Sequence, residues 1–191
     1  MRYEKGHKDE THRRILDVAG RLFRKSGISA VGLAAVMKEA GLTNGAFYAH
    51  FASKEALITE VLGDILDQRD AELVKSFEQG MSLEDAIRLY LSPLHRDNCE
   101  EGCPTAALIS ELIHHSKSTR NVFTESLERD LLRITRQISG TELARKKLAI
   151  SVLSMMIGAL QLARAVTDKK LSEQILKSSS ETAIRLIAQK N

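Results

Sequence analysis

Thr43, Asn44, Tyr48 and His50 gather four hydrogen-bonding side chains into one short stretch, and Gly45 and Ala46 between them are small. Phosphate oxygens and base edges are what such donors and acceptors suit, and small residues let a backbone approach a duplex closely. Asn44 is the best base reader of the set, because an asparagine amide pairs bidentately with adenine. Tyr48, His50 and, just downstream, Lys54 suit the phosphate backbone.

Elements that hold these side chains in place are visible around them. Gly32 is the expected N-cap of a short helix whose inward stripe is Leu33, Val36 and Met37. Ala40-Gly41-Leu42 breaks that helix, with Gly41 supplying a positive φ. Thr43 is expected to cap a second short helix running to about Ala49, its hydroxyl satisfying a free backbone N–H. Phe47 and Phe51 are the large residues that would anchor this helix, and Ser53 caps the next. Two short helices, a tight turn and a third helix behind them form the pattern of a helix-turn-helix, whose second helix enters the major groove. A helical hairpin that only packs is the plain alternative.

Over residues 15–62 the chain resembles the DNA-binding domain of the TetR family of bacterial transcriptional regulators. The matching residues are Ile15-Leu16, Ala19, Leu22-Phe23, Gly27, Ala40-Gly41-Leu42-Thr43, Gly45, Phe47-Tyr48, His50-Phe51, Ser53-Lys54-Glu55 and Leu57. The chain departs from the family pattern at Val31-Gly32, where a hydroxyl pair is usual, at Ala35, where an acid is usual, and at Val36-Met37, where Ile-Ala is usual. The resemblance implies a homodimer on a palindromic operator in double-stranded DNA, with a small and often apolar effector. It implies a regulator, most simply a repressor released from its operator by that molecule. DNA contacts are expected from Gly32, Thr43, Asn44, Gly45, Ala46, Tyr48, His50 and Lys54.

Composition fits this outline. The chain has 191 residues, no Trp and only two prolines, and its apolar content is mostly aliphatic, which points to an all-α fold. The formal charge of +3 is unevenly placed: residues 1–54 hold ten Lys/Arg against five Asp/Glu. A basic end on a near-neutral body is the footprint of a phosphate-facing module, although each cation alone would also suit a solvated helix face. Met1 to Glu10 is polar and does not form a signal peptide. The longest apolar run, Val152 to Leu160, is interrupted by Ser154 and is shorter than a membrane span. A cytoplasmic chain with no membrane partner is therefore expected.

The remaining helices are expected at about 11–26, 53–79, 83–91 (stopped by Pro93), from Pro104, from Ser118 or Thr119 to Gly140, from Thr141 to near Asp168, and 171–189. That makes about nine helices: a helix-turn-helix unit over 1–52 and a larger effector-binding and dimerisation unit over 53–191. Bundle interiors are where small-molecule sites form, and Leu62, Ile65, Tyr90, Cys103, Ala107, Ile113, Phe123, Met155 and Met156 are the candidate lining. The last two helices are apolar over a wide arc, which means deep burial or a partner on each side. Family resemblance favours the partner, with Ala149, Val152, Met156, Ala159, Ala163, Ile184 and Ile187 as the dimer face. Burial against the chain's own core is the alternative.

Cys99 and Cys103 admit three readings: ordinary reduced thiols, a redox or electrophile sensor in which Cys103 precedes a helix N-terminus, and zinc binding, whose usual spacing they do not fit. His114 and His115 are adjacent and diverge on a helix. No Ser-His-Asp set, HExxH motif, glycine-rich phosphate loop or carboxylate pair stands out, so no enzyme activity, cofactor or metal is expected. A thiol-sensing regulator using Cys99 and Cys103 and a helical protein-interaction module without DNA binding are the competing functions.

Overall fold

The structure is a computed structural model and describes residues 5–189. Arg2 and Glu4, counted in the basic N-terminal segment, lie outside the described residues. Among those described the fold is all helical, with ten helices and no strand. The first four are α1 (Lys5–Ser26), α2 (Leu33–Glu39), α3 (Asn44–Phe47) and α4 (Lys54–Glu78). Then come α5 (Leu83–Tyr90), α6 (Pro93–Asp97), α7 (Pro104–Leu112), α8 (Lys117–Gln137), α9 (Glu142–Ala165) and α10 (Lys169–Ala188).

Side-chain caps explain most of the starts. Ser53, Ser82, Ser92, Ser116, Thr141 and Asp168 each accept a hydrogen bond from the first turn of the helix they precede. Ser82 and Asp85 form a reciprocal capping box. The tenth helix is α6. Pro93 does not merely end α5; it occupies the first turn of α6, where its missing N–H costs nothing.

Two apolar cores result. The first joins α1, α2 and α3 to the N-terminal half of α4 through Ile15, Phe23, Met37, Phe47, Leu57 and Leu62, and it also takes in Leu108 and Leu112 of α7. The helices α1 and α4 cross closely at Gly20: a Cβ there would lie 2.7 Å from Ile65 Cγ2. The second core joins α5, α8, α9 and α10 around Ile87, Val152, Leu160 and Leu176.

The dimer face expected from the last two helices needs correction. Ala149, Val152, Met156, Ala159 and Ala163 are buried in the chain's own second core, and Ile184 and Ile187 pack against it. The five α9 residues are covered because α8 and α10 both lie along α9, whereas Ile184 and Ile187 of α10 stay half-buried. What α9 leaves outside is a different lane, Ile150, Ser154, Gly158 and Leu162, spaced one turn apart. The reading of run length against a membrane also needs correction. By length and composition alone α9 is apolar enough to span a bilayer, since its few polar residues do not interrupt a helical window. Its buried stripe is instead occupied by α8 and α10.

Candidate nucleic-acid interface and interior cavity

The short helix α3 presents one face outward. Thr43, Asn44, Gly45 and Tyr48 are exposed, Tyr48 at 73% of its surface. Phe47 points the other way and is buried, and its ring stacks on Phe51 with centroids 5.5 Å apart. Phe51 stacks in turn on His12 of α1 at 4.6 Å, so α3 is fixed to α1 through aromatic faces. The turn before α3 closes as expected: Gly41 takes φ 69°, and Leu42 N–H donates to Met37 O at 2.8 Å.

Three details differ from expectation. Thr43 is the N-cap residue of α3 but its hydroxyl makes no capping bond, which leaves it for another partner. Regular helix ends at Phe47, and the chain continues to His50 in i→i+3 turns, Ala49 N–H to Ala46 O and His50 N–H to Phe47 O. His50 is half-buried and tilts against His12. Burial, with His12 and Lys8 nearby, lowers its pKa. Lys54 lies at the first turn of α4 with Nζ 3.5 Å from Ile28 O, a contact too long to hold it. Gly32 is exposed at the start of α2, and a Cβ at Gly32 or Gly45 would meet nothing within 4 Å.

Much of the basic surplus of the N-terminal segment is internally paired. Arg13 bonds Asp17 and Asp64, Arg21 bonds Glu39, and Lys25 bonds Glu100. Lys8, Arg14 and Lys38 are exposed and form no ion pair with any described residue.

A cavity of about 370 Å³ lies below this unit, between α4, α5, α6 and the start of α7. Of the nine expected lining residues it brings together Ile65, Tyr90 and Cys103. The other six are elsewhere for packing reasons. Leu62 is in the first core, and Ala107 and Phe123 pack against that core. Met156 is in the second core, with Met155 packed against it, and Ile113 is exposed beyond the end of α7. Sequence reasoning missed the polar lining: Arg24, Gln68, Arg69, Glu72, His95 and Asn98. The lining expected from the sequence is mostly apolar, whereas these residues lie on the polar stripes of α1, α4 and α6.

Around the cavity the polar groups are ordered. His95 Nδ1 donates to Tyr90 O at 2.7 Å, and His95 Nε2 accepts from Cys103 N–H at 3.0 Å. Burial first, then Arg164 and Arg69, lower the His95 pKa against the opposing effect of the Tyr90 carbonyl, which agrees with a neutral ring. Both nitrogens are thereby used within the protein. Arg69 Nη1 donates to Asp130 at 2.7 Å. Cys103 lines this cavity while Cys99 lines a separate shallow recess beside Arg96 and Arg164, so the two thiols do not share a site.

Two ties run from the cavity walls to the DNA-facing unit. One is α4 itself. The other is α7, whose first residues border the cavity and whose Glu111 carboxylate accepts the backbone N–H groups of Ile28 and Ser29 at 2.9 and 2.7 Å. Burial opposes the Glu111 charge, but the bonds from Ser29 and Ile28 outweigh it and lower its pKa.

The family model for bacterial regulatory proteins of the tetR family matches residues 15–61, the segment that builds α3 and its supports. Over that segment the chain is similar to the TetR family. The regulator AcrR of Shigella flexneri is 45% identical over 60 residues, which are 31% of this chain and 28% of AcrR. The regulator LmrA of Bacillus subtilis is 28% identical over 159 residues, 78% of this chain and 82% of LmrA. The chain thus matches less than a third of AcrR's length. Solved structures show the same fold along nearly the whole chain. Reduced Escherichia coli NemR superposes with a TM-score of 0.77 at 20% identity, covering 94% of this chain and 97% of NemR. A TetR-family regulator from Agrobacterium tumefaciens superposes at 0.78 and 17% identity, covering 95% and 100%.

Proposed function

We propose that this protein is a homodimeric, ligand-responsive transcriptional repressor acting in the cytoplasm, with residues 1–52 as the DNA-reading unit and 53–191 as the effector and dimerisation unit. One observation carries the reading: α3 stands on buried Phe47 with Thr43, Asn44 and Tyr48 turned to solvent. A helix that only packed would have no use for an exposed tyrosine and asparagine beside an open glycine. Asn44 is assigned to a base edge, and Thr43, Tyr48, His50 and Lys54 to the backbone, with Gly32, Gly45 and Ala46 giving close approach.

An effector in the 370 Å³ cavity would act on α4 and α7 together. It moves the equilibrium only if it binds the operator-bound and released arrangements with different affinity. Both ties described above then carry the shift to α1, α2 and α3.

Titration of purified protein into DNA from upstream of its own gene tests this reading in a gel-shift assay at several salt concentrations. Specific, salt-dependent retardation is expected; its absence overturns the proposal. Tyr48→Ala should weaken binding to all sequences by roughly 3- to 10-fold, the loss of about one hydrogen bond. Asn44→Ala should relax preference at one base pair per half-site, at about 1–3 kcal/mol. A second reading, thiol sensing, is favoured by the place of Cys103 in the cavity wall. It predicts that an oxidant or electrophile releases wild-type protein from DNA and leaves Cys103→Ser bound.

A further inference from the structure

The cavity is lined by two largely buried arginines and, at its exposed border, by Leu89, Leu94 and two carboxylates. Tyr90 Oη is buried and makes no well-formed hydrogen bond, its contact being with the Cys103 thiol, a weak partner. Burial, chiefly, holds its pKa well above the ordinary phenol value, so it stays a donor. A buried donor without an acceptor costs free energy, and its persistence at a cavity wall asks what accepts from it. Two guanidiniums border the same space. Arg69 is largely buried, and its contact with Asp130 uses Nη1. Arg24, also largely buried, donates Nε to Glu100 O and lies 3.6 Å from Glu101. The carboxylates bordering the cavity, Glu72 and Glu101, are by contrast exposed. Near them, Leu94 (75% exposed) and Leu89 (53%) are apolar side chains in water.

We infer that the cavity binds a small amphipathic organic anion, its carboxylate accepting from Tyr90 Oη and Arg69 and its apolar body covering Leu89 and Leu94. This rests on reading the cavity as the effector site. The guanidinium carries donors and a positive charge and the phenol can donate beside it, which suits a carboxylate and repels an ammonium head. The volume is about 370 Å³, more than twice the ~150 Å³ of an engineered cavity that takes benzene, so an aryl ring with a short acidic chain fits. Such a ligand would meet Arg24 of α1 and the wall residues of α4 and α7 at once, which are the elements tied to the DNA-facing unit.

Calorimetric titration of the DNA-free, full-length protein at pH 7.5 tests the inference. The probes are 4-phenylbutyrate, 4-phenylbutanamide and 4-phenylbutylamine, which share one body and differ in the head. Binding of the acid at least tenfold tighter than the amide, with no heat from the amine, is expected. Tyr90→Phe should weaken the acid at least fivefold, leave the amide within twofold and keep or raise Tm, because the lost hydroxyl made no well-formed hydrogen bond. Equal binding of acid and amine, no binding of any probe, or an unchanged affinity in Tyr90→Phe overturns it. Binding is measured without DNA, so a negative result here leaves the gel-shift outcome independent: retardation by a protein that binds none of these probes sinks the ligand class and not the DNA reading.

Discussion

At the scale of single residues, Gly45 separates recognition from folding most cleanly. It is exposed in the short helix α3, and a Cβ placed on it meets nothing within 4 Å. Nothing in the fold therefore needs a glycine there, and helix propensity argues against one by about 0.5–1 kcal/mol. On the proposed reading, close backbone approach to a duplex supplies the reason. Gly45→Leu should fold normally, with Tm unchanged or slightly raised, and should lose operator retardation by at least 100-fold. A variant that folds and still binds DNA would remove the argument for α3 as the reading helix. Tyr48 offers the opposite test, since it is large, exposed and held edge-on to Phe47 with centroids 5.2 Å apart. Its ring is pre-positioned, so its hydroxyl loses little freedom on meeting a phosphate.

At the scale of elements, the contacts between helices say how a signal could travel. Glu111 is the sole side chain of α7 that bonds the α1–α2 turn among the described residues, and it meets the turn where Gly27 takes φ 84°. Glu111→Ala should cost about 1–2 kcal/mol of stability by leaving two N–H groups to water. It should also uncouple the units: effector binding persists in calorimetry, while release from DNA in a gel shift needs a much higher ligand concentration. A second tie joins the start of α4 to the start of α8. Glu55 accepts from Thr119 Oγ1, from the Ser116 N–H and from the His115 ring. Burial alone would raise its pKa, but these bonds bring it down to about 2 from 4.5. A depressed carboxylate contributes stability that is complete above the unfolded value and lost as pH falls through the folded one. Thermal melts should therefore show wild type losing stability between pH 4.5 and 2, with a shallower decline in Glu55→Gln. The elements themselves were largely legible, because Gly41, Ser53 and Ser82 are local signals acting within one turn. Pro93 was misread because a proline after Ser92 both closes one helix and opens another, and only the path of the chain decides. The cavity was the least legible part. Its lining depends on how α1, α4, α5 and α7 cross, and Arg24 and Arg69 look in sequence like any solvated arginine on a helix.

At the scale of the whole molecule, α9 keeps one apolar lane uncovered. The buried stripe of this helix, including Ala149, Val152 and Ala163, is spent on α8 and α10. The wide apolar arc visible in the sequence was thus two stripes, and which one faced the core could not be read without knowing where α8 and α10 lie. The outer lane carries Ile150 at 52% exposure and Leu162 at 59%, with Ser154 and Gly158 between them. Large ends and a small middle let a second copy of α9 cross at close range, since a Cβ at Gly158 meets nothing within 4 Å in the single chain. On the proposed reading, a two-fold pair would also set two α3 helices on one duplex, where half-sites one turn apart, roughly 34–36 Å, are read together. Gly158→Leu tests this arrangement because the substitution is harmless to one chain and obstructive to two. Sedimentation should show wild type as a dimer and the variant as a monomer at micromolar concentration. Its melting temperature should stop depending on protein concentration, as expected when folding and association are no longer linked. Operator affinity should fall at least 100-fold, while binding of 4-phenylbutyrate stays within a few-fold of wild type, because α9 does not line that cavity. A variant that remains dimeric, or a wild type that sediments as a monomer, would move the dimer elsewhere and leave the Ile150–Leu162 lane without a partner.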